Sequence, residues 1–281
     1  MKQLILTIAV ASSLVSCLKN VESEAEKKFA ENEIDIQNYI RTSKISFDKS
    51  SSGLYYSFLT KNPTGAKPNL GDEVSIHYKL FKMSGVVFDS TERLKNTPFS
   101  YGFGINTLIP GMDEGIASMR QGERAVFLMN HYLAFGSQAD DILPAYSAVG
   151  ADVEVVKVRN EDQQINDYVA ANKLTVTEKT GTGLRFIQTF TTTNAQVMPG
   201  STVSVKYTGK LLNDKVFDSG ELSVKVGTGG VIRGFEDGIS KMRIGEKAIL
   251  IFPSALGYGT KGAGTSIRPY APLLFEVEIT K

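Results

Sequence analysis

Along the chain, apolar and polar positions alternate in the same way at two places. Val74, Ile76 and Tyr78 enclose Ser75 and His77, and Val203, Val205 and Tyr207 enclose Ser204 and Lys206. A period of two sends successive side chains to opposite faces and predicts a half-buried strand at each place. Ahead of each strand the period lengthens. Ile34, Ile36, Tyr39 and Ile40, and later Ile165, Tyr168 and Val169, recur at helical spacing and predict a short helix, the second within a connecting segment from Asn160 to Lys173. A further helix is predicted from Ile232 to Met242, with Phe235, Ile239 and Met242 along one face and Gly245 beyond its end. Two more strands, Lys247 to Phe252 and Leu273 to Thr280, flank a long loop rich in Gly and Pro. The pattern is α+β: an antiparallel sheet covered by one helix.

The whole pattern occurs twice. Ile36, Tyr39, Lys44, Val74, Tyr78, Phe88 and Asp89 recur 129 residues later as Ile165, Tyr168, Lys173, Val203, Tyr207, Phe217 and Asp218. Beyond them, Gly111, Gly115, Met119, Gly122, Glu123 and Gly136 recur at a distance of 123, as Gly234, Gly238, Met242, Gly245, Glu246 and Gly259. The second copy is therefore six residues shorter in the loop after Phe-Asp-Ser. Two long copies mean tandem domains, since a solenoid would show more numerous units of ~20–50 residues.

Lys and Arg number 31 against 30 Asp and Glu, a net charge of +1. No basic surplus exists to neutralise a phosphate backbone, so nucleic acid is not an expected partner. One cysteine and two histidines, His77 and His131, exclude a disulfide framework and any site built from several Cys or His ligands. No metal or cofactor is expected. Both histidines read as solvated or internally satisfied side chains.

At the N-terminus, Met1-Lys2-Gln3 and the apolar run from residue 4 to 15 are too short to span a bilayer and suit an export signal. Leu14-Val15-Ser16-Cys17 resembles the lipoprotein box of bacteria, which implies cleavage before Cys17, lipidation of its thiol, and a protein tethered to a bacterial membrane, facing the periplasm. The expected division is a signal at 1–16, a lipidated, solvated tether at 17–33, a first domain at 34–159 and a second at 160–281.

In the second copy, Tyr207, Phe217, Val231, Ile232, Phe235, Tyr258, Ile267 and Phe275 are aromatic or branched. Hydrophobicity alone makes them core residues. Tyr258 and Ile267, however, sit among loop signals, inside Gly257-Tyr258-Gly259 and beside Arg268-Pro269, where side chains can line a concave site. Three segments then become specific: Val205 to Ser219 (VKYTGKLLNDKVFDS), Val231 to Met242 (VIRGFEDGISKM) and Ala255 to Thr260 (ALGYGT). They resemble the FK506-binding-protein family of peptidyl-prolyl cis-trans isomerases, over Leu184 to Lys281, with a looser likeness from Leu54 to Arg159.

The resemblance implies a curved antiparallel sheet wrapped around the short helix, with the active pocket between them. It makes Phe235 the pocket floor, Tyr207, Phe217 and Phe275 its walls, and Leu222, Val231 and Ile267 further substrate contacts. Ile232 would offer its N–H and Tyr258 its hydroxyl to substrate carbonyls, and Asp218 would polarise the site, a turn-forming aspartate being the plainer alternative. The implied partners are proline-containing polypeptides and a macrolide of the FK506 type. The first copy keeps Tyr78, Phe88, Asp89, Phe99, Leu108 and Ile109, but has Met112 at the floor, Phe135 at the loop tyrosine and Ala151 opposite Phe275. This predicts a widened, degenerate pocket with weak or no turnover.

Gly257-Tyr258-Gly259-Thr260-Lys261-Gly262 has the letters of a dinucleotide fingerprint, but Gly262, Gly264 and Pro269 preclude the helix that motif requires. Serine hydrolysis lacks a histidine base in the second copy. The resemblance implies a prolyl isomerase that assists exported proteins as they fold, with a holdase that binds polypeptides without turnover as the alternative.

Overall fold

The computed structural model describes residues 23–105 and 108–281; residues 1–16, read above as an export signal, and Cys17 lie outside the described residues. The first copy opens with helix α1 (Glu24–Ser43). Strands β1 (Asp48–Lys49), β2 (Tyr55–Thr60), β3 (Glu73–Lys82), β4 (Val87–Ser90) and β5 (Phe99–Gly102) follow, then helix α2 (Pro110–Ser118) and strands β6 (Arg124–Met129) and β7 (Val149–Arg159). The second copy repeats the order with helix α3 (Glu161–Ala171), strands β8 (Glu178–Lys179), β9 (Arg185–Phe190), β10 (Thr202–Leu211) and β11 (Val216–Lys225), helix α4 (Arg233–Ile239), and strands β12 (Lys247–Phe252) and β13 (Leu273–Ile279). The sheets run β1-β2-β6-β7-β3-β4, with β5 also on β3, and β11-β10-β13-β12-β9-β8. All their pairings are antiparallel.

The inner face of each sheet packs on the short helix. Met112, Ile116 and Met119 cluster with Val74, Ile76 and Val153, as Phe235, Ile239 and Met242 do with Val203, Val205 and Val277. The helix rests on the sheet through its backbone: a Cβ at Gly238 would lie 2.3 Å from Leu250 Cδ1.

The outer face is covered too, so each sheet has a helix on both sides rather than one. Ile36 of α1 is buried with Phe81, Val126 and Leu128, and Ile165 of α3 with Ile187, Ile251 and Leu274. Polar pins hold these outer helices. In the second copy the buried Arg185 guanidinium donates to Asp162 Oδ1 at 2.5 Å and Asn166 Oδ1 at 2.6 Å. Burial pushes the Asp162 carboxyl up, but Arg185 and Lys179 beside it win and hold it below the usual carboxylate range. Tyr55 takes that place in the first copy, its hydroxyl donating to Glu33 and accepting from Gln37, each at 2.9 Å.

One expectation about the chain's division changes here, while the six-residue difference falls after Phe-Asp-Ser as expected. Residues 24–33, read as tether, are the first turns of α1: Ser23 and Glu26 form a reciprocal capping box, and Asn32 is buried. Charge on the solvent face of a helix had the composition of a linker. The six extra residues of the first copy divide what is one strand, β11, in the second. Their turn, with a 3-10 segment at Arg93–Lys95, separates β4 from β5.

Candidate active site

In the second copy a cavity of about 430 Å³ is lined by Tyr207, Asp218, Leu222, Gly230, Val231, Ile232, Phe235, Tyr258 and Phe275. Strands β10, β11 and β13 bring Tyr207, Asp218, Leu222 and Phe275; α4 brings Phe235, and the loop between β12 and β13 brings Tyr258. Tyr207 Oη donates to Asp218 Oδ2 at 2.9 Å. That hydrogen bond, with burial, raises the Tyr207 phenol above its ordinary range and keeps it protonated as a donor. The Phe275 ring stands against Phe235, Phe217, Phe252 and Tyr207, with centroids 5.3, 5.6, 5.8 and 6.2 Å away. Gly209 makes room for this group, because a Cβ there would come within 2.7 Å of Phe217 and 2.9 Å of Phe275.

Two of the expected site residues do not line the cavity. Phe217 is a support packed edge-on to Phe275. Ile267 is buried in the core, and its backbone bridge to Ala263 shapes the loop. Its Pro-flanked position looked like a rim, but an isoleucine that can reach the core is drawn into it.

Sequence reasoning missed Glu236. Its Oε1 accepts the N–H groups of Gly227, Thr228 and Gly229 at 2.9, 3.1 and 3.2 Å and so fixes the turn that leads to Val231 and Ile232. The only signal was an acidic residue in the first turn of α4. Ile232 is the N-cap of that helix, and its carbonyl accepts from the N–H groups of Phe235 and Glu236. Tyr258 is 37% exposed, and its hydroxyl is bonded to no protein group among the described residues.

The first copy retains one element of this chemistry. Tyr78 Oη donates to Asp89 Oδ2 at 2.9 Å, and burial together with that bond pushes the phenol up to about 12. The surroundings are rebuilt. Ala151 pairs with Leu80 and Phe127 where Phe275 pairs with Gly209 and Leu250, so the two positions do correspond. Leu80 and the fully buried Phe127 stand across from Ala151 in the same core cluster and add apolar bulk beside the smaller residue. Tyr101 pairs with Val74 as Val224 pairs with Val203, and it too adds a ring, stacked on Phe99 at 5.9 Å. Met112 is buried in the same cluster, with Leu108 and Ile109 packed against it. Phe135 meets Phe88 at 6.4 Å.

A larger hollow of about 680 Å³ is lined by residues of both copies, but Glu73, Arg159 and Asp167 on its wall already pair with one another. The smaller, aromatic cavity is the one that gathers the residues singled out in the second copy.

A family model described as FKBP-type peptidyl-prolyl cis-trans isomerase matches residues 64–156 and again 193–280. The chain is 27% identical over 212 residues to the peptidyl-prolyl cis-trans isomerase FKBP9 of Mus musculus, covering 74% of this chain and 34% of that protein. It thus spans about a third of the length of that curated relative. To an FK506-binding protein of Neisseria meningitidis it is 42% identical over 91 residues, 31% of this chain and 84% of that one. The solved structure of the three FKBP domains of wheat FKBP73 aligns with 84% of this chain and 98% of its own, at 20% identity and a TM-score of 0.42. With the matched segments covering most of both copies, the chain belongs to the FKBP-type peptidyl-prolyl cis-trans isomerase family and carries the family's domain twice.

Proposed function

We propose that the chain catalyses cis–trans isomerisation of X-Pro bonds in exported polypeptides, with turnover in the second copy. The observation that carries this reading is the aromatic cavity around Phe275, with the Tyr207–Asp218 pair and the free Tyr258 hydroxyl at its edge. Rotation about an X-Pro bond breaks no covalent bond and has only to give up amide resonance, against a barrier of ~18–20 kcal/mol. A site for it needs a dry wall for the proline ring and donors that favour the twisted amide. Phe235, Phe275 and Tyr207 supply the wall. The Ile232 N–H and the Tyr258 hydroxyl supply donors for the substrate carbonyls on either side, and the Asp218 carboxyl lies beside the twisting bond. A macrolide of the FK506 type would occupy the same cavity.

The first copy supports polypeptide binding without turnover. It lacks a hydroxyl at Phe135 and a wall ring at Ala151, yet Phe99 is 38% exposed beside the retained Tyr78–Asp89 pair. In this reading the protein works from a membrane, held through acyl chains on Cys17 at ~0.8 kcal/mol per buried methylene.

The test is isomerisation of an X-Pro peptide by the full chain, with and without the macrolide. Acceleration that the macrolide abolishes is expected. Unchanged peptide kinetics, together with suppressed aggregation of a proline-free client, would overturn turnover in favour of holding.

A further inference from the structure

The loop that carries Tyr258 is anchored outside the family segment, which begins at residue 193. Glu161, the first residue of α3, grips Ser254 with both carboxylate oxygens. Oε2 accepts the Ser254 N–H at 2.5 Å and Oε1 accepts its hydroxyl at 2.8 Å. Ser254 is buried, and its carbonyl accepts the N–H groups of both Gly257 and Gly259 at 2.8 Å. These glycines flank Tyr258. Its backbone is therefore held on each side by one carbonyl, and that carbonyl belongs to the residue that Glu161 holds. Glu161 itself is fixed by the start of its helix, where Asn160 and Gln163 form a reciprocal capping box. The far end of the loop closes with the Tyr270 N–H on the Gly259 carbonyl at 2.9 Å.

The first copy builds the same hold with weaker chemistry. Asn32 of α1 accepts the His131 N–H at 2.8 Å, and the His131 carbonyl accepts the N–H of Gly136, next to Phe135. A neutral amide stands where the second copy has a carboxylate, and Phe135 has no hydroxyl to aim. Charge-assisted hydrogen bonds are the stronger kind, and the second copy has them where an oriented donor stands.

We propose that Glu161 is a positioning residue: acting through Ser254, it sets where the Tyr258 hydroxyl stands over the cavity and makes the connecting helix a working part of the second site. The inference rests on the isomerase reading above.

The test compares the full chain with Glu161→Ala and Glu161→Gln, each in the Tyr258 and the Tyr258→Phe backgrounds. Glu161→Ala is expected to lower kcat/KM ~tenfold when Tyr258 is present and by less than about twofold when it is Phe, with Glu161→Gln in between because one acceptor remains. Amide hydrogen exchange at Gly257 and Gly259 should quicken ~tenfold in Glu161→Ala, while the amides of Leu250 and Phe275 in the β12–β13 ladder stay unchanged. An equal loss of turnover in both backgrounds, or unchanged exchange at the two glycines, would overturn the proposal. If the unsubstituted chain does not turn over, the isomerase reading falls separately. The positioning role in catalysis then falls with it, while the exchange result still decides whether Glu161 holds the loop.

Discussion

At one register position the second copy has Phe275, surrounded by four other aromatic rings, and the first has Ala151, flanked by Leu80 and Phe127. The volume is nearly conserved across the pair, but it has moved to neighbouring strands and under α2, where a Cβ on Gly115 would meet the Phe127 ring at 2.4 Å. A core tolerates such exchanges when the total volume is kept. A ligand site does not, because its wall must stand on the open side of the sheet. Both copies possess the Tyr–Asp hydrogen bond at 2.9 Å, so in the proposed division of labour that bond is not the deciding feature. What separates them is the ring group around Phe275 and the hydroxyl of Tyr258, replaced by Phe135.

The comparison breaks most visibly at Phe275. Phe275→Ala is expected to lower kcat/KM of the full chain on the order of 100-fold by removing the wall. It should also destabilise the second copy by about 3–5 kcal/mol, measured by denaturant unfolding. The reverse change sharpens the contrast. Ala151→Phe puts a ring into a buried cluster that already contains Leu80 and Phe127, so it should cost about 1–3 kcal/mol of stability through overpacking and add no turnover.

The smallest effect is electrostatic. The Tyr78 phenol, pushed up to about 12 by burial and Asp89, releases its proton later in the folded than in the unfolded chain, where the value is ~10. Its contribution to stability is complete below pH ~10 and is lost as the pH rises through the folded value. Melting temperature should therefore fall over that alkaline window, and Tyr78→Phe should remove part of the fall; an identical alkaline profile in the variant would refute the assignment.

Much of this was legible in the sequence because repetition carries information that single segments lack. Val74–Tyr78 and Val203–Tyr207 read as strands twice, and Tyr207, Asp218, Ile232, Phe235, Tyr258 and Phe275 line one cavity, as the family resemblance implied. The start of α1 was less legible, since a charged helix face and a linker share a composition, although Ser23 and Glu26 had the spacing of a capping box. Compensation at Leu80, Phe127 and Tyr101 was hidden because it depends on cross-strand register, which no single position reveals. Ile267 misled for a related reason: loop signals describe the backbone and do not say which way a side chain turns. Glu161 and Ser254, and Glu236 with its three amides, were invisible because hydrogen bonds between distant segments leave no periodicity.

The most direct test of a division of labour uses the residue that both copies share. Asp89→Ala and Asp218→Ala each cut the same hydrogen bond, in the same full chain, and kcat/KM toward an X-Pro peptide reads out the difference. The account predicts a loss of about tenfold or more for Asp218→Ala and a value within about twofold of the unsubstituted chain for Asp89→Ala. Equal losses from the two changes would contradict it and make both copies catalytic.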